Sequence, residues 1–379
     1  RNMAVFTIFF CGTGSTKYDS IHDNYWNGEL ISTLANNMGS REFADWIVVN
    51  GPGSGNLQAD ELFTEPKSYG WTGTAFGKGW HENVQHAVNI VKGKFDWQRT
   101  KLTEAEYVRL KNAGLPIHKV EETDSWLWRH YDFGNRKVSQ QQLQEQIIKT
   151  HRKGGIIPTQ INLVGWSRGG VSCHMLANAL LADPVLRKIP VNIFVVDPVP
   201  GPLNTQLEKI SLSSNVKQYV AFYARDERSK GFACVIPKTV ASTQVSIFPM
   251  AGRHATLVGN ASLSGASGPG ALNEPGKLVR HYAEVCLTRW GTKLTKTMNL
   301  SAVDVSNLHQ SIVMHDSDFV KMRSQSYTGL TEHTANERSV IHNGKTVAFG
   351  KVTGLPLNPK EGLAAALAKG NDAYNVILK

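Results

Sequence analysis

Runs of consecutive apolar residues alternate along this chain with stretches whose apolar positions recur every three or four residues. An unbroken apolar run reads as a strand covered on both faces, and the wider spacing reads as an amphipathic helix. The strand-like runs are Ala4–Phe10, Asp45–Asn50, Gln160–Val164, Val191–Val196, Gln218–Tyr223 and Gln244–Phe248. Trp80, Val84, Val88 and Val91 predict a helix over Gly79–Val91. Gly170–Ala182 predicts a second helix, stopped by Asp183-Pro184, and Leu278, Tyr282, Val285 and Leu287 predict a third over Lys277–Trp290. Strand and helix in alternation predict an α/β fold with a mostly parallel central sheet flanked by helices.

Elsewhere the pattern weakens. Residues 93–137 read as a helical insertion, with Thr103-x-x-Glu106 as a capping box for a short helix ending near Gly114. Ser139-x-x-Gln142 resembles another box, opening a helix that carries Leu143, Ile147 and Ile148. Gly259–Gly276 is rich in Gly, Ser and Ala and is expected to be a mobile surface loop, a candidate lid or membrane contact. Beyond about residue 296 the signal fades into short mixed segments, ending in the weakly helical Lys360–Lys369. The 379 residues therefore divide into a catalytic domain over 1–295 and a C-terminal elaboration or small subdomain over 296–379.

Composition narrows the class. Hydrophobic residues at 41% and charged residues at 19% exclude a disordered polyelectrolyte, a collagen-like chain and a coiled coil. No run approaches the ~18 apolar residues of a membrane-spanning helix, so a soluble protein is expected. No signal peptide is visible, and the opening Arg1-Asn2-Met3 fits a piece of a longer chain. Cys11, Cys173, Cys234 and Cys286 lack C-x-x-C or zinc-ligand spacing and are expected to be buried thiols. The net charge of +10 is compatible with nucleic acid, with an anionic membrane surface, or with solubility alone.

The chemistry concentrates at Gly165-Trp166-Ser167-Arg168-Gly169. A G-x-S-x-G sequence is weak alone, but this one follows a strand and precedes a helix, as a nucleophile elbow requires. The sharp turn leaves no room for side chains at the two glycines and holds Ser167 above a helix N-terminus. The N–H of Arg168 then points where an oxyanion would form. The plain alternative is a strand–turn–helix that merely contains a serine. A serine nucleophile needs a base, and the base an orienting acid, each at the end of a later strand. Asp197 closes one such strand, Asp226 follows the next, and His254 lies just past the last. Both acids satisfy this order, so pattern alone leaves them open. Among thirteen histidines His254 is the first choice of base and His315 the second, while His81, His86 and His174 are read as structural. No metal-ligand spacing exists, and neither metal nor cofactor is expected. The second oxyanion donor is assigned to the loop Phe9–Gly14, through the N–H of Thr13 or Gly14. A phosphate-binding loop is the rival reading, but both this loop and Gly51–Gly55 lack the Lys-Ser/Thr and G-x-G-x-x-G signatures.

These segments together resemble a family. Phe9–Gly14 (FFCGTG) is similar to an opening F-x-D-G-T, and Val49–Gly55 and Gly73–Ala87 to a Gly-rich segment with its following helix. Gly165–Gly170 (GWSRGG) is similar to the family's elbow, Val196–Val199 (VDPV) to D-T-V, Ala224–Phe232 (ARDERSKGF) to D-E-R-R-x-x-F, and Phe248–His254 (FPMAGRH) to W-F-x-G-x-H. Met314–Ser317 faintly resembles a late motif. The chain thus resembles the bacterial α/β-hydrolase lipases found among type VI secretion effectors, and related hydrolases with a GFSRG-type elbow. Cys11 and Ala255 stand where that family has Asp. The resemblance implies an α/β-hydrolase fold and a Ser167–His254–Asp197 triad, with Asp226 as second-choice acid. It also implies a phospholipase or lipase that is secreted or translocated without a signal peptide and acts at an anionic membrane surface, with an immunity or secretion partner. A small-molecule esterase, thioesterase or amidase, then cytoplasmic, is the enzyme alternative. A basic α/β scaffold binding protein or nucleic acid is the third reading. Nucleic acid is not expected, because the basic residues are scattered rather than clustered with aromatics.

Overall fold

A computed structural model describes residues 3–12, 24–40, 42, 44–49, 80–92, 120–125, 128–133, 136–137, 157–201, 204–332 and 338–352. In chain order the strands are β1 (Val5–Phe10), β2 (Trp46–Val49), β3 (Val120–Ser125), β4 (Trp128–Phe133), β5 (Arg136–Lys137), β6 (Gln160–Trp166), β7 (Val191–Val196), β8 (Val216–Ala224), β9 (Cys234–Val235), β10 (Gln244–Met250), β11 (Ser339–His342) and β12 (Lys345–Ala348). The longer helices are α1 (Leu30–Asn36), α2 (Trp80–Lys92), α3 (Arg168–Ala182), α4 (Glu274–Arg289), α5 (Ala302–Met314) and α6 (Asp316–Lys321). Six strands form one sheet in the order β10-β8-β7-β6-β1-β2, every pair parallel. This is an α/β architecture, a parallel central sheet with helices on both faces.

The unbroken apolar runs have a direct cause, since each strand feeds two cores. Phe6, Ile8, Phe10, Ile161, Leu163, Ile193 and Val195 pack on one face with Val84 and Val88 of α2 and Val171 and Leu176 of α3. Their alternates Phe9, Val164, Phe194 and Val196 pack on the other with Leu30 and Leu34 of α1, Leu278 and Tyr282 of α4, and Ile312 of α5. β6 outruns its apolar stretch to Trp166 because its pairing with β7 continues to Trp166 opposite Val196. All four cysteines are buried free thiols.

Three regions depart from the sequence reading. The described part of the 93–137 insertion is an antiparallel sheet, β3-β4-β5, pairing Glu122 with Tyr131 and Thr123 with His130. These residues were expected only as part of a helical insertion; the helix expected between Thr103 and Gly114 and the Ser139 box lie outside the described residues. Gly259–Gly276 is not a surface loop throughout. Asn260, Ala261 and Ser262 are buried, Tyr25 bridges Asn260, and the Ala261 N–H donates to Asn24 O at 2.9 Å. The described residues after 296 are organised, with α5 opened by a capping box from Ser301 to Asp304. There β11 pairs in parallel with β9 and antiparallel with β12, a small second sheet. Lys360–Lys369 lies outside the described residues.

Two buried histidines fix a pH dependence of stability. His174 sits between Tyr219 Oη (2.7 Å) and the Lys209 carbonyl (2.8 Å). Burial lowers it from 6.5 to about 4, and burial lowers His309 to about 4 as well. The unfolded chain therefore takes up protons before the folded one as pH falls. Stability is complete above about 6.5 and declines as pH falls towards 4, by on the order of 3 kcal/mol for His174. Urea midpoints measured from pH 7 to pH 4 should fall through that window.

Candidate active site

The carboxyl ends of β1, β6, β7, β8 and β10 converge on one edge of the sheet, and the sequence places Cys11, Ser167, Asp197, Asp226 and His254 just beyond them. Ser167 has φ 57° and ψ −131°, a left-handed conformation rare for a side chain larger than hydrogen. Crowding on both sides enforces it. A Cβ at Gly165 would strike the Gly169 carbonyl, and one at Gly169 would strike the carbonyls of Phe10 and Cys11. The turn is pinned by Ser167 N–H to Val196 O (3.1 Å) and by Val199 N–H to Ser167 O (3.3 Å). Helix α3 begins at Arg168, whose buried guanidinium donates to Pro200 O at 3.3 Å. Burial lowers this side chain to about 10. Asp197 also has positive φ, 42°, so two of the four described non-glycine residues with positive φ stand at these strand ends, the others being Asn299 and Asn343.

Of the two competing acids, the structure brings Asp197 to His254. His254 Nδ1 donates to Asp197 Oδ2 at 2.6 Å, and both side chains are buried. Asp226, the second-choice acid, is engaged elsewhere. It accepts from Arg225 Nε (3.1 Å), Arg323 Nε (2.7 Å) and the Gly252 N–H (2.8 Å). The rival base is also displaced. His315 caps the end of α5, partly exposed, with Nδ1 3.4 Å from Glu274 and 3.5 Å from Ser311 Oγ. A turn between two helices, not a loop after a strand, carries it. Thr13 and Gly14 lie outside the described residues. Gly12 is described, and a Cβ there would stand 2.5 Å from the Trp166 indole.

His254 opens a short 3-10 turn through Val258, and its own N–H donates to Glu227 Oε2 at 3.1 Å. Its ring is walled by aromatics: Trp166 at 4.8 Å, Phe232 at 5.2 Å and Tyr327 at 6.5 Å between centroids. Nε2 is buried with no hydrogen-bond partner among the described residues, and so is the neighbouring Trp166 Nε1. With Nδ1 donating to a carboxylate, the free lone pair of a neutral imidazole sits on Nε2.

Several residues of this site carried no recognised signal. Arg338 is 1% exposed and places Nη2 2.9 Å from Asp197 Oδ2 and 3.1 Å from Oδ1. The Ala224 N–H adds a bond to Oδ1 at 3.0 Å. Burial pushes the Asp197 carboxyl up, but the Arg338 charge, then His254 and the Ala224 N–H, outweigh it and hold the group at about 2. Its stabilising contribution is thus complete above the ordinary carboxylate value near 3.9 and lost only as pH falls through about 2. Tyr327 ties the tail to the loop after His254, donating to Gly265 O at 2.7 Å while the Ala255 N–H donates to its Oη at 3.3 Å. Arg253 stacks over the same ring at 3.8 Å. Glu227 was legible only as part of the D-E-R run after a strand. Among the described residues no group of three or more His, Cys, Asp or Glu could hold a metal ion, and no helix is long and apolar enough to cross a membrane.

No protein-family model and no curated protein matches the sequence. Among solved structures, the chain is similar to an uncharacterized protein from Pseudomonas aeruginosa at 15% identity and TM-score 0.40. That match covers 77% of this chain and 46% of the other, so this chain spans less than half of its length. A second similar structure is the Tle1 effector bound to the VgrG spike of the type 6 secretion system, at 9% identity and TM-score 0.41, covering 86% of this chain and 82% of that one.

Proposed function

We propose that this chain is a serine hydrolase of carboxylic esters, with Ser167 as nucleophile, His254 as base and Asp197 as orienting acid. The observation that carries the reading is the imidazole of His254. One nitrogen is fixed on Asp197, the other is buried and unpaired among the described residues, and the residue before the elbow serine packs on its ring. With Nδ1–H held on the carboxylate, Nε2 is left as the nitrogen that can take a proton from the serine hydroxyl.

In this mechanism Ser167 Oγ attacks the ester carbonyl while His254 Nε2 takes its proton. The oxyanion is held by the Arg168 N–H and by the N–H of Thr13 or Gly14, each donor worth on the order of 3 kcal/mol in the barrier. The tetrahedral intermediate collapses, and the imidazolium returns the proton to the leaving alcohol. Water then attacks the acyl-serine with His254 again as base, releasing the carboxylic acid and restoring Ser167. Asp197 keeps the Nδ1–H tautomer throughout.

For substrate, the reading is a phospholipase or lipase used as a secreted bacterial effector. The motif resemblance, the aromatic walls of Trp166, Phe232 and Tyr327, and a net charge of +10, which favours anionic headgroups, support it. The depth of Ser167 and His254, 7% and 4% exposed, favours the alternative of a small soluble ester or thioester. Mixed phosphatidylglycerol and phosphatidylcholine vesicles, with products read by mass spectrometry, separate the two when run beside nitrophenyl acetate and butyrate. Free fatty acid released with a rate jump at the lipid interface is expected. Turnover of short soluble esters alone selects the alternative, and no turnover together with no fluorophosphonate labelling of Ser167 removes the hydrolase.

A further inference from the structure

Arg338 is fully buried, lies directly before β11, and reaches the one carboxylate that holds His254. Orientation of that carboxylate does not require it. The Ala224 N–H fixes Oδ1, the His254 Nδ1–H fixes Oδ2, and the backbone of Asp197 is pinned by its N–H to Phe222 O at 2.7 Å. What Arg338 adds is a charge. An Asp–His pair alone is anionic while the imidazole is neutral and becomes neutral overall once the imidazole is protonated, so burial favours the imidazolium. With Arg338 in place the resting trio is already neutral, and protonation leaves a net positive charge in a desolvated site.

The other charged groups packed around His254 do not reverse that balance. From its own loop, Arg253 stands 3.6 Å from Glu227, whose other oxygen accepts from the Ser229 N–H. From the loop after β8, Asp226 is met by Arg225 and Arg323, and Arg225 also meets Asp316 at 2.7 Å. Arg228 donates to the Arg225 and Glu227 carbonyls. From β9 and the tail, Cys234 and Tyr327 are both held in their neutral forms by burial.

We propose that Arg338 is a positioning residue of the triad that cancels the charge of Asp197, so that His254 remains a competent base further into the acid range. The inference rests on the Ser167–His254–Asp197 reading. Its functional content is that the segment after residue 296 tunes the pH range of the hydrolase.

The test compares wild type with Arg338→Gln, which keeps a hydrogen-bond donor and removes the charge. The acid limb of the pH profile of kcat/KM, or of the fluorophosphonate labelling rate, should move to higher pH by about one unit. An unmoved limb with reduced stability makes Arg338 a packing residue only. Should that variant not fold, the same coupling is read in the Asp197→Asn background, where adding Arg338→Gln removes the last charge of the pair. The NMR titration of the His254 imidazole is then expected at higher pH in the double variant than in Asp197→Asn alone, and coincident titrations overturn the proposal. The titration needs no turnover. An unlabelled wild-type Ser167 would overturn the hydrolase reading while the imidazole still reports whether it feels Arg338.

Discussion

Ser167→Ala is expected to lower kcat/KM for ester hydrolysis by about 10^4-fold or more and to abolish fluorophosphonate labelling, with the fold intact. In the proposed mechanism the hydroxyl is the attacking group, while the fold makes no use of it. It caps no helix N–H, and the left-handed backbone at Ser167 is imposed by its neighbours and strains Ala no more than Ser. Stability should therefore stay within about 0.5 kcal/mol, read as an unchanged thermal midpoint. Activity above one part in a hundred would move the nucleophile elsewhere and leave Ser167 a residue of the turn.

Asp197→Asn should act on both function and stability. An amide can present its N–H to Nδ1 and so favour the wrong imidazole tautomer, which is expected to lower kcat by about 10^4-fold. The same change leaves Arg338 buried opposite a neutral group. Removing one partner of a buried pair costs on the order of 3–5 kcal/mol, a large share of the stability of a domain. The double variant Asp197→Asn/Arg338→Gln should recover most of the lost stability and none of the lost activity. Denaturant midpoints and initial rates on one ester separate the two effects. Asp226→Asn, by contrast, breaks the contacts to Arg225 and Arg323 and leaves the acid at His254 in place.

The parallel sheet was legible in the sequence because its strands are buried on two faces, which writes apolar residues at nearly every position, with Thr7, Asn162 and Asn192 as buried polar exceptions. Ile161–Val164 and Val191–Val196 are such runs, and the strands stand where those runs stand. The elbow was legible because two glycines and a strand-to-helix junction fix its backbone locally. The choice between Asp197 and Asp226 was not, since both close a strand and the arrangement that separates them involves Arg323, far along the chain. Arg338 was invisible for the same reason. A lone arginine in a weakly patterned segment looks like any surface cation until β11 pairs with β9 and turns it inward. The strands β3–β5 were hidden by polar composition, as runs such as Val120–Ser125 carry little apolar signal.

The pairing of β9 with β11 also bears on the order of events during synthesis. Asp197 and Arg338 are 141 residues apart, and β9 is complete long before β11 leaves the ribosome. Chains fold from the N-terminal side as they emerge, so the parallel sheet and the elbow can assemble while the countercharge of Asp197 is still unmade. A nascent chain at that stage holds a carboxylate without its arginine, and the segment around it stays less stable than the rest of the sheet. Docking of the small second sheet thus follows assembly of the parallel sheet, and the charge balance around His254 is completed only after its contact with Asp197 can form.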